Sequence, residues 1–315
     1  MLNWACSRMP NFCRKGNIMS VQKDFTDAVV REECTRHHIN SGYQVNNGNY
    51  YDSYMENKAW ENYLAAMNPV HKQRYMEGDG GELKEKGKQP PKMASLISSS
   101  RMIYLLSKDI PYSGSTEFYF EQKRDTVVGH DANLDGFYYN GEKYFYVEAK
   151  CREPYGHSLV QHISSNYSDV YCVLREKMRS VFNCVMEDLK DGYMNVIFLS
   201  RGKPVKYFDI KQMICHLLGI AAYHLCAEEE PKPINFLYLL YDPRKLVFPV
   251  KTSAEILEIY EKTCQAALGY RFEEMFGHII DYLVDEKNLP GKHKEILKRV
   301  FTFELCSQYN YRSKF

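Results

Sequence analysis

The sequence predicts an α/β fold, on three observations. Residues 133–150 read as a β-hairpin. Residues 195–200 and 234–241 are apolar runs of buried-strand length, and the helix-like segment 211–226 between them makes a strand–helix–strand unit that favours parallel pairing. Segments with helical patterning lie before and after these strands.

Taken in order, residues 21–76 read as polar and helical, with Asp24, Glu32, Glu33 and Arg36 among Phe25, Val29 and Val30, and suggest a helical arm or cap. Residues 77–91 are rich in Gly, Lys and Pro and read as a loop. That loop is the expected boundary between an N-terminal segment, 1–92, and an α/β domain, 93–315. Residues 93–108 read as a helix carrying Leu96, Ile97, Met102, Ile103, Leu105 and Leu106, on which Ser99 and Arg101 are candidates to meet phosphates. After the hairpin, Pro154 and Gly156 break regularity, and Arg152 and His157 become candidate substrate contacts. Residues 169–189 read as helical. Asp209 is a candidate N-cap for the helix that follows it. Residues 254–268, 272–285 and 293–303 read as helices closing the fold.

The hairpin carries the chemistry. Asn140-Gly141 suits a two-residue type I′ turn, which needs φ > 0 at both central positions. That turn pairs Tyr139 with Glu142 and Asp135 with Tyr146. Asp135, Tyr146, Glu148 and Lys150 then share one face, and Leu134, Phe145, Val147 and Ala149 share the other. Asp135 and Glu148 become diagonal neighbours, with Cβ atoms on the order of 7 Å apart. Two carboxylates at that spacing can converge on one Mg²⁺, which keeps several waters and takes substrate oxygens as further ligands. A lysine beside them can polarise or deprotonate an attacking water, or offset charge on a phosphorane. Glu-x-Lys also occurs at Glu56-Lys58, Glu82-Lys84 and Glu121-Lys123, so the triplet alone has little value. Only Glu148-Lys150 ends an apolar run and has an Asp across a hairpin.

Leu134-Asp135-Gly136 followed by Val147-Glu148-Ala149-Lys150 resembles the Asp…Glu-x-Lys core of the PD-(D/E)xK, restriction-endonuclease-like superfamily. The likeness is greatest to bacterial restriction endonucleases, and it spans roughly residues 95–219 by order of elements. Leu134 stands where the nominal motif has Pro. The resemblance implies a restriction-endonuclease-like core, a mixed central β-sheet flanked by helices, here with N-terminal and C-terminal helical elaborations. It also implies Mg²⁺ dependence, with Mn²⁺ as a substitute, and phosphodiester hydrolysis. Asp135, Glu148 and the carbonyl of Ala149 would bind the metal, and Lys150 would orient or activate water. Members often carry an upstream acid on a helix or its end. Glu121 is preferred for that role over Glu117, which lies one helical turn earlier. The exonuclease-like branch has Gln-x-x-x-Tyr on a later helix. Gln212 matches as a substrate-positioning residue, and His216 replaces the Tyr as a candidate substrate contact.

Composition fits such a protein without proving it. The net charge of +1 gives no global basic field, so DNA binding needs a local patch. Lys84 to Lys92 is one candidate, and Lys203, Lys206 and Lys211 another. Many of the 26 tyrosines are expected to be half-buried packing residues rather than stacking platforms. None of the 10 cysteines forms a Cys-x-x-Cys pair. Cys172, Cys215 and Cys226 lie in apolar runs where Cys packs as a small hydrophobe, so reduced thiols in the cytoplasm are expected. No signal peptide or membrane span is expected, and Met19 is an alternative start after a poorly ordered segment. The leading expectation is a DNA endonuclease, with a restriction or defence role as one form of it, working as a homodimer if it cuts both strands. The alternatives are a non-cleaving nucleic-acid-binding module on the same fold, a recombination or repair exonuclease, and a metal-dependent phosphohydrolase of small substrates.

Overall fold

The structure, a computed structural model, describes residues 15–45, 48–77, 82–110, 117–156, 158–189 and 191–315. The N-terminal part contains α1 (Lys15–His37), β1 (Ser41–Gln44), β2 (Tyr50–Met55), α2 (Asn57–Ala66), α3 (Pro69–Glu77) and α4 (Ser99–Ser107). Then come β3 (Glu117–Arg124), β4 (Ala132–Tyr139), β5 (Tyr144–Lys150), β6 (Gln161–Ser164), α5 (Ser168–Lys177), β7 (Asn183–Asp188), β8 (Tyr193–Ser200) and β9 (Lys203–Pro204). The chain closes with α6 (Ile210–Leu225), β10 (Ile234–Leu240), α7 (Val250–Gly269), α8 (Phe272–Asp285), α9 (Lys294–Val300) and β11 (Phe301–Ser307).

The α/β class is borne out. A mixed five-stranded sheet runs β11-β10-β5-β4-β3. β10 is parallel to both β5 and β11, while β4 is antiparallel to β3 and β5. β5 and β10 are buried along almost their whole length, because both faces of the sheet are covered. On one face Tyr146, Phe236 and Tyr238 join a cluster built on α6 and α8. On the other, Phe145, Val147, Leu237 and Leu239 pack with Phe25 of α1, Trp60 of α2, Tyr75 of α3 and Ile103 of α4. That second cluster draws residues from both 1–92 and 93–315. An antiparallel sheet, β6-β8-β7 with β9 added on β8, lies apart from the first.

Several expectations are corrected. Residues 21–76 are not all helical, since β1 and β2 pair as a hairpin in which Tyr43 faces Tyr51. The tyrosines there suit a half-buried strand better than a polar helix. The helix expected from 93 starts only at Ser99, because the Ser98 side chain accepts the Arg101 N–H and caps it. The helix expected over 169–189 stops at Lys177, and β7 follows. β8 and β10 do not pair, since each finds its partners in a different sheet. The last expected helix ends at Val300. Period-two alternation then makes Phe301–Ser307 a strand, with Phe301, Phe303 and Leu305 toward one cluster and Cys306 toward the other.

The described cysteines are all free thiols. Cys172 and Cys226 are exposed rather than packed, and Cys215 is half-buried. On α5 it is Val170, Tyr171 and Leu174 that face inward, and Cys226 is the C-cap of α6. Among the described residues no helix is long and apolar enough to cross a membrane. Residues 1–14 lie outside the described residues, and the rest of the segment expected to be poorly ordered before Met19 falls in α1.

Candidate active site

β4 and β5 form the expected hairpin with a longer loop. Tyr139 pairs with Tyr144 and Phe137 with Tyr146, so four residues connect the strands instead of two. The Asn140 side chain explains the loop, since its Oδ1 accepts the N–H groups of Glu142 (3.0 Å) and Lys143 (2.8 Å). The change of register is two residues, so the paired side chains from Gly136 to Tyr139 and from Tyr144 to Val147 keep their faces. Continuing this register sets Asp135 opposite Glu148 rather than opposite Tyr146. Regular pairing stops at Gly136 and Val147, and the Ala149 N–H donates to Asp135 Oδ2 (2.7 Å).

The expected place of Leu134 does not hold. It packs with Phe137 and Tyr146, not with Phe145 and Val147. The cause lies across the ladder. β3 pairs Phe120 with Gly136 and Gln122 with Leu134, but skips Glu121 with Asp135. Glu121 sits there at φ 52°, in the left-handed region that side chains other than glycine avoid. The break in alternation turns Glu121 toward α4, where Ser100 Oγ donates to its carboxylate (2.8 Å). Gly136 lies beneath α4, close to Phe118 of β3 and Ile103 of α4. A Cβ there would stand 3.3 Å from Phe118 and 3.5 Å from Ile103. Glu121 therefore lies on an edge strand, not on a helix, and so does Glu117.

These elements bring Glu121, Asp135, Glu148 and Lys150 to one open pocket of about 350 Å³, which Ser99, Arg152 and Gln212 also line. Gln212 is set by the cap of α6, where Asp209 accepts its N–H (3.0 Å). Two expected substrate contacts are corrected. Arg101 is buried and ion-paired to Glu33, so it braces α4 against α1 instead of facing solvent. His216 is buried behind the acids, with Nε2 2.9 Å from Glu148 Oε2. His157 lies outside the described residues.

The charges are tightly coupled. Burial pushes the Glu148 carboxyl up, but Lys150 and His216 outweigh it and hold it below its usual value. Lys150 Nζ lies 2.5 Å from Glu148 Oε1. Burial lowers the Lys150 ammonium, yet Glu148, Glu153 and Asp135 together raise it well above its ordinary value. Asp135 is pushed well above its usual range by burial first, then by Glu148 and Glu121. Glu121 is pushed up to about 7 by burial and by the charge of Glu82. Lys150 thus holds its proton at neutral pH in the metal-free protein.

Glu82, Lys92 and Glu153 were not legible in the sequence as site residues. Glu82 is fully buried, with Oε1 2.8 Å from Lys92 Nζ and Oε2 without a hydrogen-bond partner among the described residues. Its Glu-x-Lys triplet had suggested only a loop. Glu153 accepts the Cys151 N–H (2.8 Å) and faces Lys150 electrostatically. An acid two residues beyond the motif lysine was its only signal.

Among the described residues no set of three or more His, Cys, Asp and Glu is arranged to hold a metal ion. Mg²⁺ needs less, since one or two carboxylates suffice when water and substrate phosphate complete its shell. Asp135 and Glu148 supply hard oxygens. The Ala149 carbonyl lies on the same strand edge as its N–H, the edge that faces Asp135. The raised carboxyls of Asp135 and Glu121 are the chemistry of a site short of positive charge, so the residues fit a divalent cation. Comparison of the chain with family models, with curated proteins and with solved structures found no match.

Proposed function

We propose that the protein is a Mg²⁺-dependent deoxyribonuclease, an endonuclease of the PD-(D/E)xK, restriction-endonuclease-like kind, acting in a reducing cytoplasm. The observation that carries this reading is the meeting of Glu121, Asp135, Glu148 and Lys150 in one open pocket. Asp135, Glu148 and the Ala149 carbonyl would hold the ion, which when bound supplies Lewis acidity toward a phosphate oxygen and an acidified water. Lys150, protonated and fixed on Glu148, would stabilise charge growing on the phosphorus oxygens during in-line attack. His216 would keep Glu148 ionised and aimed, acting through that carboxylate instead of touching substrate. Glu121, near neutrality, is suited to take a proton at working pH. Gln212, Ser99 and Arg152 would position the phosphate backbone. Cutting both strands would take two copies, one site for each strand.

The test is cleavage of supercoiled plasmid and of linear single- and double-stranded DNA with Mg²⁺ or Mn²⁺, wild type beside Lys150→Ala. Cleavage that EDTA and the substitution both abolish is expected, with nicked circles marking endonuclease action. Loss of linear substrate alone would mark an exonuclease. No cleavage of any substrate by a folded, metal-loaded protein would sink the proposal in favour of a binding module.

A further inference from the structure

A cavity of about 670 Å³ lies apart from the candidate active site and shares none of its lining residues. It lies where the β8–β9 hairpin meets α7. Arg201, Lys203, Lys206 and Lys262 line it, and among the described residues no Asp or Glu does. A chain with a net charge of only +1 has no general surplus of cations to spread over its surface, so this concentration is local. Lys262 is paired with Glu258 (2.6 Å). Arg201, Lys203 and Lys206 form no ion pair with any described residue, and Lys206 Nζ stands 5.1 Å from the centre of the Tyr207 ring.

The backbone adds a separate argument. Ser200 pairs with Lys203, so Arg201-Gly202 is a two-residue turn, with φ 49° and 76°. Such a turn favours Asn, Asp or Gly at its first position. Arginine there is held in an unfavourable conformation, on a turn that lines the same cavity as Lys203 and Lys206.

The cavity also adjoins the candidate active site through the chain. Tyr207 lines the one and Gln212 the other. A bend at Tyr207-Phe208 and the first turn of α6 separate them, at most about 12 Å between Cα atoms. Thr263 Oγ1 of α7 lies 3.2 Å from the Tyr207 carbonyl and 2.8 Å from that of Ile259, so α7 packs against the segment that leads into α6. A polyanion crossing both sites would place several phosphates between them, since one strand of a duplex advances about 3.4 Å per charge. Leu268, 64% exposed at the rim, and the half-buried Tyr207 offer apolar surface to sugars or bases.

We propose that Arg201, Lys203 and Lys206 form a backbone-binding surface for nucleic acid, holding the strand whose scissile phosphate lies at Glu148 and Lys150. The identity of the polyanion rests on the nuclease reading, and the position of the surface rests on the cavity alone.

The test is fluorescence anisotropy of a labelled short duplex and of its single strand, in EDTA, over a range of salt concentrations. Wild type is compared with the triple variant Arg201→Asn, Lys203→Gln, Lys206→Gln. Asn suits the turn, so the hairpin is retained. A control triple, Lys58→Gln, Lys72→Gln, Lys108→Gln, removes the same charge at positions lining neither pocket. The surface variant is expected to bind at least about tenfold more weakly, with a slope of log affinity against log salt shallower by about 2 to 3. The control is expected to match wild type. An unchanged slope, an equal loss in the control, or no binding by wild type overturns the surface. Weakened binding by the surface variant, with no cleavage by wild type under any metal, keeps the surface and removes the nuclease. Cleavage by wild type that the variant performs at unchanged KM keeps the nuclease and removes the surface.

Discussion

Glu121→Gln should make the metal-free protein more stable at alkaline pH. In wild type this carboxyl rises from its ordinary 4.5 to about 7, through burial first and the Glu82 charge second, with Ser100 and Lys92 opposing. Below pH 4.5 the group is protonated in both the folded and unfolded states and contributes nothing. Between 4.5 and about 7 the unfolded chain releases the proton while the folded one keeps it, so stability falls as pH rises. At about 1.36 kcal/mol per pH unit the loss is complete above pH 7 and amounts to about 3 kcal/mol, an upper figure for a partly accessible group. Glutamine carries no charge and can still accept the Ser100 hydroxyl, so the variant escapes this loss. The assay is urea unfolding in EDTA at pH 5 and pH 8. Variant and wild type should be close at pH 5, and the variant more stable by about 2 to 3 kcal/mol at pH 8. A difference that does not change with pH would refute the reasoning, because Glu121 would then ionise alike in both states.

Two more predictions concern the same charges and the bracing around them. Binding of Mg²⁺ near pH 7 should release protons from Asp135 and Glu121, seen calorimetrically as a heat that changes with the ionisation enthalpy of the buffer; equal heats in all buffers would count against a shared cation. Arg101→Met should lower stability by about 3 to 5 kcal/mol in urea unfolding, because Glu33 would be left buried without its partner; a loss under about 1 kcal/mol would show that Arg36 and His37 already satisfy Glu33.

The sequence by itself determined what depends on local alternation. The apolar runs of β5 and β10, the hairpin around Asn140-Gly141 and the Asp209 cap of α6 all follow from side chains within a few residues of one another. The shared face of Asp135, Glu148 and Lys150 survived a wrong loop length, because a shift of two residues preserves the period of a strand. Only the tertiary structure decided the rest. The left-handed residue that turns Glu121 toward Ser100 arises where β3 crosses β4 beneath α4, and no local pattern announces it. Arg101 and Glu33 lie 68 residues apart, and each offsets the burial of the other, with Arg36 and His37 also close to Glu33. His216 left the expected solvent face of α6 because α6 lies directly on the sheet, over Glu148. Glu82 is a buried acid because the segment around Lys92 and Met93 folds back over it, with Lys92 pairing its carboxylate and the Met93 N–H donating to its carbonyl. Burial, and the charge coupling it strengthens, is a property of distant segments meeting, which periodicity along the chain does not record.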